Sequence, residues 1–169
     1  MVILGVDPGV ATVGYGVIEI KGNRLSYIGH GTIQTSSKKM LPARLLEIFN
    51  EMNRLITKHR PGLMGVEQLF FAKNVKTAMM VSQARGVILL AGEKQGVRVE
   101  EYTPLKVKST LTGYGQADKS QIQKMVKALL GLPEIPKPDD AADALAIALT
   151  ALQHHTFNEL RLMEEESKK

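Results

Sequence analysis

The residues in this sequence that could do chemistry are carboxylates placed at the ends of apolar segments. Asp7 closes the apolar run 2–6 and is followed by a Pro-Gly turn, and Glu67 closes the apolar run 63–66. A continuous apolar run is typical of a strand buried on both faces, and a carboxylate at its end is costly to desolvate without a cation. Taken alone, Asp7 fits a turn-forming residue, a metal ligand or a phosphate-site residue of an actin-like ATPase.

Two further acids fall within one turn of a predicted helix. Asp140 and Asp143 are three residues apart, about 60° around a helix axis, so their carboxylates share a face. An N-cap role explains either Asp139 or Asp140, but Asp143 lies among Ala, Leu and Ile, where a buried charge needs a partner. Asp139 and Asp143 are four residues apart and could also pair, so the spacing leaves this choice open.

Four converging carboxylates would carry more negative charge than a site can hold without cations. The chain has no cysteine, and its four histidines show no ligand spacing, so ligation would be by oxygen alone. Oxygen ligands suit hard ions such as Mg²⁺ or Mn²⁺. Two such ions about 3.5–4 Å apart can activate a water and stabilise the leaving oxygen during attack on a phosphate. Such chemistry needs no protein nucleophile.

The charge distribution of the chain suggests an anionic partner. The formal net charge is +5 and the sequence pI is about 9.4. Residues 73–127 carry ten basic side chains against four acidic ones, and most of the acids lie outside this segment. A basic segment can be a solvated face or a surface for a nucleic-acid backbone, and both interpretations remain open here.

The first half of the chain predicts a strand meander, a helix and a further strand, over residues 2–7, 13–20, 24–33, 42–59 and 63–66. Strand, helix and strand in this order favour a parallel crossover, which would bring Asp7 and Glu67 close together. Gly14 and Gly16 weaken a strand unless a backbone or a ligand must approach closely there.

The second half predicts an edge strand and four helices, over residues 74–95, 97–102 (the strand), 104–111, 118–130 and 139 to about 154. Asp118 and Gln121 form a capping-box pattern at the start of one helix, and Asn74 is a plausible cap of another. The helix 74–95 is apolar on more than one side. It is therefore either the central helix of the domain or a surface that pairs with a second copy, and the homodimer is favoured.

The turn after Glu67 contains two adjacent aromatic residues, Phe70 and Phe71. Loop phenylalanines usually pack into a core, but two neighbours in one turn cannot readily both do so. One of them would then be free to stack on a nucleic-acid base.

Several segments together resemble the RuvC family of Holliday junction resolvases over about residues 1–155. They are Gly5-Val6-Asp7-Pro8-Gly9 with Gly14-Tyr15-Gly16, Val66-Glu67-Gln68-Leu69-Phe70-Phe71-Ala72-Lys73-Asn74, Gln83-Ala84-Arg85-Gly86, Asp118-Lys119-Ser120-Gln121 and Asp140-Ala141-Ala142-Asp143-Ala144-Leu145-Ala146. The resemblance implies an α/β protein of ribonuclease H-like fold, with a five-stranded mixed β-sheet flanked by α-helices, that acts as a homodimer.

The resemblance also assigns roles to residues. It implies that four acids form the catalytic and metal-binding set, namely Asp7, Glu67, Asp140 and Asp143, and so selects Asp140 over Asp139. The implied metal is two Mg²⁺ ions per subunit, with Mn²⁺ as a possible substitute. It implies DNA contacts by Phe70, Lys73, Lys108 and Lys119, with Phe70 wedged into the junction. The resemblance further implies that the protein makes paired symmetric nicks in a four-way DNA junction and leaves 5′-phosphate ends. It implies RuvA and RuvB as partners in recombination and repair.

Other functions remain alternatives at this point. A junction-binding protein without nuclease activity would gain nothing from converging carboxylates. An actin-like ATPase needs two such domains, and a hybrid-cleaving ribonuclease would not need the apolar helix for pairing.

Length and terminal composition bear on organisation and compartment. We expect one nuclease domain over residues 1–155 and a disordered tail over 156–169. The N-terminus lacks the features of a signal peptide and no apolar run is long enough to span a membrane, which predicts a cytoplasmic protein without membrane contact.

Overall fold

The computed structural model describes residues 1–68 and 75–166, which form five strands and five helices. The strands are β1 (Val2–Asp7), β2 (Thr12–Lys21), β3 (Arg24–Gln34), β4 (Leu63–Glu67) and β5 (Arg98–Tyr102). The helices are α1 (Leu41–His59), α2 (Val75–Lys94), α3 (Pro104–Thr112), α4 (Lys119–Leu129) and α5 (Asp139–Glu166).

The strands form one mixed sheet in the order β3-β2-β1-β4-β5. β1 and β2 pair antiparallel, and the hairpin between β2 and β3 closes with Lys21 opposite Arg24, as the sequence predicted. β1 and β4 pair in parallel, with Val6 opposite Val66. The predicted crossover is thereby confirmed, and it places the ends of both strands at the same edge of the sheet.

Helices cover both faces of the sheet. On one face α3, α4 and α5 pack over side chains such as Ile3, Ile18 and Leu63, and on the other face α1 and α2 pack over Leu4 and Val17. β1 contributes alternate residues to both clusters, which explains why its sequence is continuously apolar.

The helix at the centre of the fold is α5, so the interpretation of 74–95 as the central helix is wrong. Residues 141–151 of α5 are buried almost without exception, whereas α2 buries one stripe and exposes Met79 and Leu90. Small residues on both partners allow α5 to lie very close to the sheet. A Cβ added at Gly5 would stand 2.0 Å from the carbonyl oxygen of Ala144.

Two boundaries differ from the sequence prediction or cannot be compared with it. The prediction that the last helix ends near His154 is wrong, because α5 continues to Glu166. Its last turns pair oppositely charged side chains four residues apart, as in Arg161 and Glu165, which stabilises an exposed helix. The proposed cap Asn74 lies outside the described residues. Within the described ranges, no helix has the length and apolarity needed to cross a membrane.

Candidate active site

Two of the predicted acids meet at the ends of adjacent parallel strands. Asp7 ends β1 and Glu67 ends β4, one position beyond the paired residues Val6 and Val66. Both side chains are partly buried. The two carboxyl groups are close enough for Asp7 to affect the pKa of Glu67 through hydrogen bonding.

The other two acids are brought to this edge by the first turn of α5. A Cβ added at Gly14, which is opposite Asp7 in the β1–β2 pairing, would lie 2.0 Å from the carbonyl oxygen of Asp140. The close-approach interpretation of this glycine is therefore the one that the structure supports. Because the helix backbone lies against the sheet here, Asp140 and Asp143 project beside Asp7.

The helix phase separates Asp140 from its neighbour Asp139. Asp140 is partly buried and lines a cavity together with Asp7. Asp139 is exposed and its Oδ1 accepts a hydrogen bond of 3.1 Å from Gln123. Both acids lie inside the first turn of α5. Spacing alone allowed either residue to join Asp143, and the structure directs only Asp140 toward Asp7.

The ionisation of the acids is strongly perturbed. Burial, followed by the charges of Glu67, Asp143 and Asp140, raises the pKa of Asp7 to about 8. Burial and Asp143 raise the pKa of Glu67 to about 7, although the hydrogen bond with Asp7 lowers it. Burial also raises the pKa of Asp143 against the lowering effect of Lys119. The fold thus forces like charges together at a cost in stability, as is common at functional sites.

Lys119 supplies a positive charge to this cluster. Its Nζ lies 3.1 Å from Oδ2 of Asp143 and 3.2 Å from Oδ2 of Asp139. Burial lowers the pKa of Lys119, but these hydrogen bonds outweigh that effect and raise it. Lys119 begins α4 directly after the N-cap Asp118, whose Oδ1 accepts a hydrogen bond of 2.9 Å from the backbone N–H of Gln121 in the capping box. The predicted capping box is confirmed, and it fixes where Lys119 enters the site.

A cavity of about 210 Å³ connects the acids to both predicted lysines. Its lining includes the acids Glu67 and Asp143 and the lysines Lys108 and Lys119. Lys108 comes from α3 and Lys119 from α4, two helices packed on the same face of the sheet as α5. Of the predicted DNA contacts, Phe70 and Lys73 lie outside the described residues.

The four acids fit hard-metal ligation in chemistry, although they are not assembled as a ready-made ligand group. Among residues 1–68 and 75–166, no three Asp, Glu or His side chains are gathered closely enough to hold a metal ion. Asp143 is instead paired with Lys119. The donor set is all oxygen, and its raised pKa values indicate negative charge that a divalent cation would relieve.

Arg44 is a basic residue at the site that the sequence reasoning missed. It lines a second cavity, of about 500 Å³, together with Asp7 and Asp140. Arginine in the first turn of an amphipathic helix is common, so no signal in the sequence singled it out. Only the packing of α1 next to the turn after β1 brings Arg44 to the acids.

Comparison with a distantly related solved structure bears on the fold. The solved structure of the yeast mitochondrial Holliday junction resolvase Ydc2 matches with a TM-score of 0.62 at 15% identity, covering 88% of this chain and 77% of that one. At this identity the likeness shows the fold alone, which is the ribonuclease H-like fold of the resolvases, as the sequence predicted.

The family follows from closer relatives. The model of the family described as crossover junction endodeoxyribonuclease RuvC matches residues 3–151, and the chain belongs to this family. The enzyme of that name from Brevibacillus brevis is 55% identical over 157 residues, covering 93% of this chain and 95% of the relative. The structure of Thermus thermophilus RuvC matches with a TM-score of 0.87 at 34% identity, covering 94% and 97% of the two chains.

A second Thermus thermophilus structure contains RuvC in complex with a Holliday junction substrate. It matches with a TM-score of 0.80 at 34% identity, covering 89% of this chain and 91% of that one.

Proposed function

We propose that this protein is a metal-dependent endonuclease that resolves four-way DNA junctions by paired symmetric nicks. The observation that carries the proposal is the convergence of Asp7, Glu67, Asp140 and Asp143 at one edge of the sheet in a member of the RuvC family. A protein that only bound junction phosphates would be destabilised by these acids without any gain in affinity.

The four carboxylates are proposed to hold two Mg²⁺ ions per subunit, with Mn²⁺ as a possible substitute. Bound there, the ions would supply an activated water and charge stabilisation for the leaving 3′ oxygen, leaving a 5′-phosphate. Because the pKa values of Asp7 and Glu67 are raised, metal ligation requires each carboxyl group to lose its proton. At limiting Mg²⁺, cleavage should therefore increase with pH as these carboxyl groups lose their protons.

The lysines next to the acids are proposed to hold the DNA strand. Lys108 and Lys119 line the cavity that contains Glu67 and Asp143, where their charges would offset those of a phosphate group. Phe70 and Lys73 are also proposed as DNA contacts, on the basis of their positions in the family motif, with Phe70 entering the junction.

The exposed face of α2 favours a homodimer. Met79 and Leu90 are 62% and 58% exposed, and both lie on one helical stripe with Gly86. Gly86 has open space where a Cβ would stand, so packing within one subunit does not require this glycine. A helical glycine costs about 0.5–1 kcal/mol relative to alanine. Close approach of a second helix at Gly86 would explain why the residue is there, and two subunits would supply two nicks.

Membership in the family supports a proposal for the cellular setting. We propose that residues 1–155 are the nuclease domain, and that the protein acts in the cytoplasm with RuvA and RuvB in homologous recombination and DNA repair.

The proposed activity is tested with a synthetic four-way junction and a linear duplex of the same sequence, each with Mg²⁺ or with EDTA. We expect paired nicks only in the junction with Mg²⁺, and ligatable ends that carry 5′-phosphates. Tight junction binding without nicks at any Mg²⁺ or Mn²⁺ concentration would instead support a non-catalytic junction-binding protein.

A further inference from the structure

The acid cluster faces a second cavity on the side away from Lys108 and Lys119. This cavity, of about 500 Å³, is lined by Asp7 and Asp140, by residues 8–12, by Arg44 and by three residues of α2. The acids thus lie between two cavities, each of which contains basic side chains. The cavity that contains Lys108 and Lys119 has a role in the proposed function, whereas the cavity that contains Arg44 has none.

Arg44 is held in place by a short chain of hydrogen bonds. Its Nε donates to Oγ1 of Thr35 at 2.8 Å, and Thr35 Oγ1 donates to the carbonyl oxygen of Val10 at 2.5 Å. Thr35 is buried, and its amide also donates to the carbonyl oxygen of Ala11 at 3.0 Å. The guanidinium is therefore fixed to the loop that directly follows Asp7.

The remaining donors of Arg44 have no anionic partner in the described part of the chain. A guanidinium carries five N–H donors, and the bond to Thr35 uses only one. None of the ion pairs among the described residues includes Arg44. A partly buried guanidinium fixed at one nitrogen and open at the others is well prepared to bind a phosphate with two parallel hydrogen bonds.

We propose that Arg44 binds a backbone phosphate of the cleaved DNA strand, adjacent to the scissile phosphate and on the opposite side of the acids from Lys108 and Lys119. The inference rests on the proposed nuclease function. A strand anchored on both sides of the acids would be held with its scissile phosphate over them, although those acids repel it electrostatically.

Arg44→Gln separates the proposed contact from the structural one. The Nε2 atom of glutamine occupies the same place along the side chain as the arginine Nε, so it can keep the bond to Thr35 while the charge and the other donors are lost. Arg54→Gln is the matched control. Arg54 lies on the same helix, is 77% exposed, and pairs with Glu51 at 2.6 Å.

The experiment measures junction affinity in EDTA as a function of salt concentration. It uses intact junctions and a series of junctions, each with a single neutral methylphosphonate at one of the positions flanking the cleavage site. We expect Arg44→Gln to weaken binding about tenfold or more. The slope of log K against log salt should decrease by about 0.9. In the wild type, a methylphosphonate at one of the flanking positions should cause a similar loss of affinity. The same methylphosphonate should have little further effect on the affinity of Arg44→Gln.

The outcomes are distinguishable. Wild-type protein that cleaves junctions, together with an Arg44→Gln variant that has the salt slope and methylphosphonate profile of Arg54→Gln, would overturn the Arg44 assignment and leave the nuclease function intact. Equal losses at every flanking position in Arg44→Gln would also overturn it, because that pattern indicates a general structural effect. A wild-type protein that neither binds nor nicks junctions would remove the nuclease proposal and this inference with it.

Discussion

Lys119 lies within hydrogen-bonding distance of Asp143, with 3.1 Å between Nζ and Oδ2, and so brings a positive charge from α4 to the acids of α5. The pairing compensates part of the negative charge at the site. It also sets Lys119 in competition with any cation that Asp143 would ligate.

Replacing Lys119 should therefore have opposite effects on metal binding and on cleavage. In Lys119→Gln, we expect Mg²⁺ to bind about two- to fivefold more tightly in the absence of DNA, since a nearby positive charge is removed. Junction cleavage should decrease because the proposed contact with a DNA phosphate is lost. Calorimetric titration and single-turnover cleavage measure the two effects. Lys124→Gln, at an exposed position of the same helix, is the control and should change neither quantity.

Adjacent aspartates at the start of α5 should differ sharply in importance. Asp140 faces the cavity with Asp7, whereas Asp139 is exposed and hydrogen-bonds to Gln123. We expect Asp140→Asn to lower the cleavage rate about a hundredfold or more while junction binding is retained. Asp139→Asn should cleave within a few fold of the wild type. Equal defects in the two variants would mean that the site is not built as we propose.

The pKa of Asp7 predicts how stability depends on pH in the metal-free protein. Its pKa is raised to about 8 in the folded state, so above about pH 4 the unfolded chain loses a proton that the folded protein keeps. The contribution of Asp7 to stability is therefore greatest at low pH and is lost as the pH rises toward 8. After allowance for solvent screening, the loss between pH 5 and pH 8 should be about 2 kcal/mol.

Asp7→Asn removes this titration and so tests whether Asp7 lowers stability as the pH rises. In urea unfolding with EDTA, we expect the variant to be more stable than the wild type at pH 8 by about 2 kcal/mol and similar to it at pH 5. Adding Mg²⁺ at pH 8 should stabilise the wild type more than the variant. A wild type whose stability does not fall between these pH values would refute the assigned pKa shift.

How far the site could be predicted differs from residue to residue. Asp7 and Glu67 were predictable because each ends an apolar strand and a parallel crossover brings such strand ends together. The choice between Asp139 and Asp140 was not predictable from spacing, because it depends on where α5 begins and on how Gly14 admits the helix backbone. The position of Arg44 next to the acids was not predictable at all, since it depends on contacts between distant segments.

The elements of the fold also divide into those that local sequence patterns predict and those that they do not. Local patterns gave the β2–β3 hairpin and the capping box of α4, where the residues that specify the structure are neighbours in sequence. The extension of α5 to Glu166 was missed because the polar composition after Thr156 resembles a tail, although spaced ion pairs can support such a helix.

The contact between Gly14 and Asp140 predicts that a single methyl group will disrupt the site. In Gly14→Ala, the new Cβ would meet the helix backbone, so α5 must shift away from the sheet. Overpacking of this kind costs about 1–3 kcal/mol in unfolding free energy. We also expect weaker Mg²⁺ binding, because Asp140 and Asp143 move relative to Asp7.

Gly29→Ala provides the comparison for that variant. Gly29 lies in β3 of the same hairpin and has nothing within 4 Å of an added Cβ. It should be neutral or slightly stabilising by about 0.5 kcal/mol. If both glycine variants were equally stable and bound Mg²⁺ equally well, close packing of α5 would not be what positions the acids.

The exposed stripe of α2 predicts which substitution separates the subunits. We expect the wild type to have a mass near twice 18.5 kDa in sedimentation equilibrium at micromolar concentration. Leu90→Lys places a charge in the stripe next to Gly86 and should shift the protein to a monomer without loss of folding stability, because Leu90 is 58% exposed in one subunit. Leu129→Lys on α4, which packs on the opposite face of the sheet, should remain dimeric. A Leu90→Lys variant that stays dimeric would place the subunit interface elsewhere. A monomeric wild type would leave the proposal of paired nicks without a second active site.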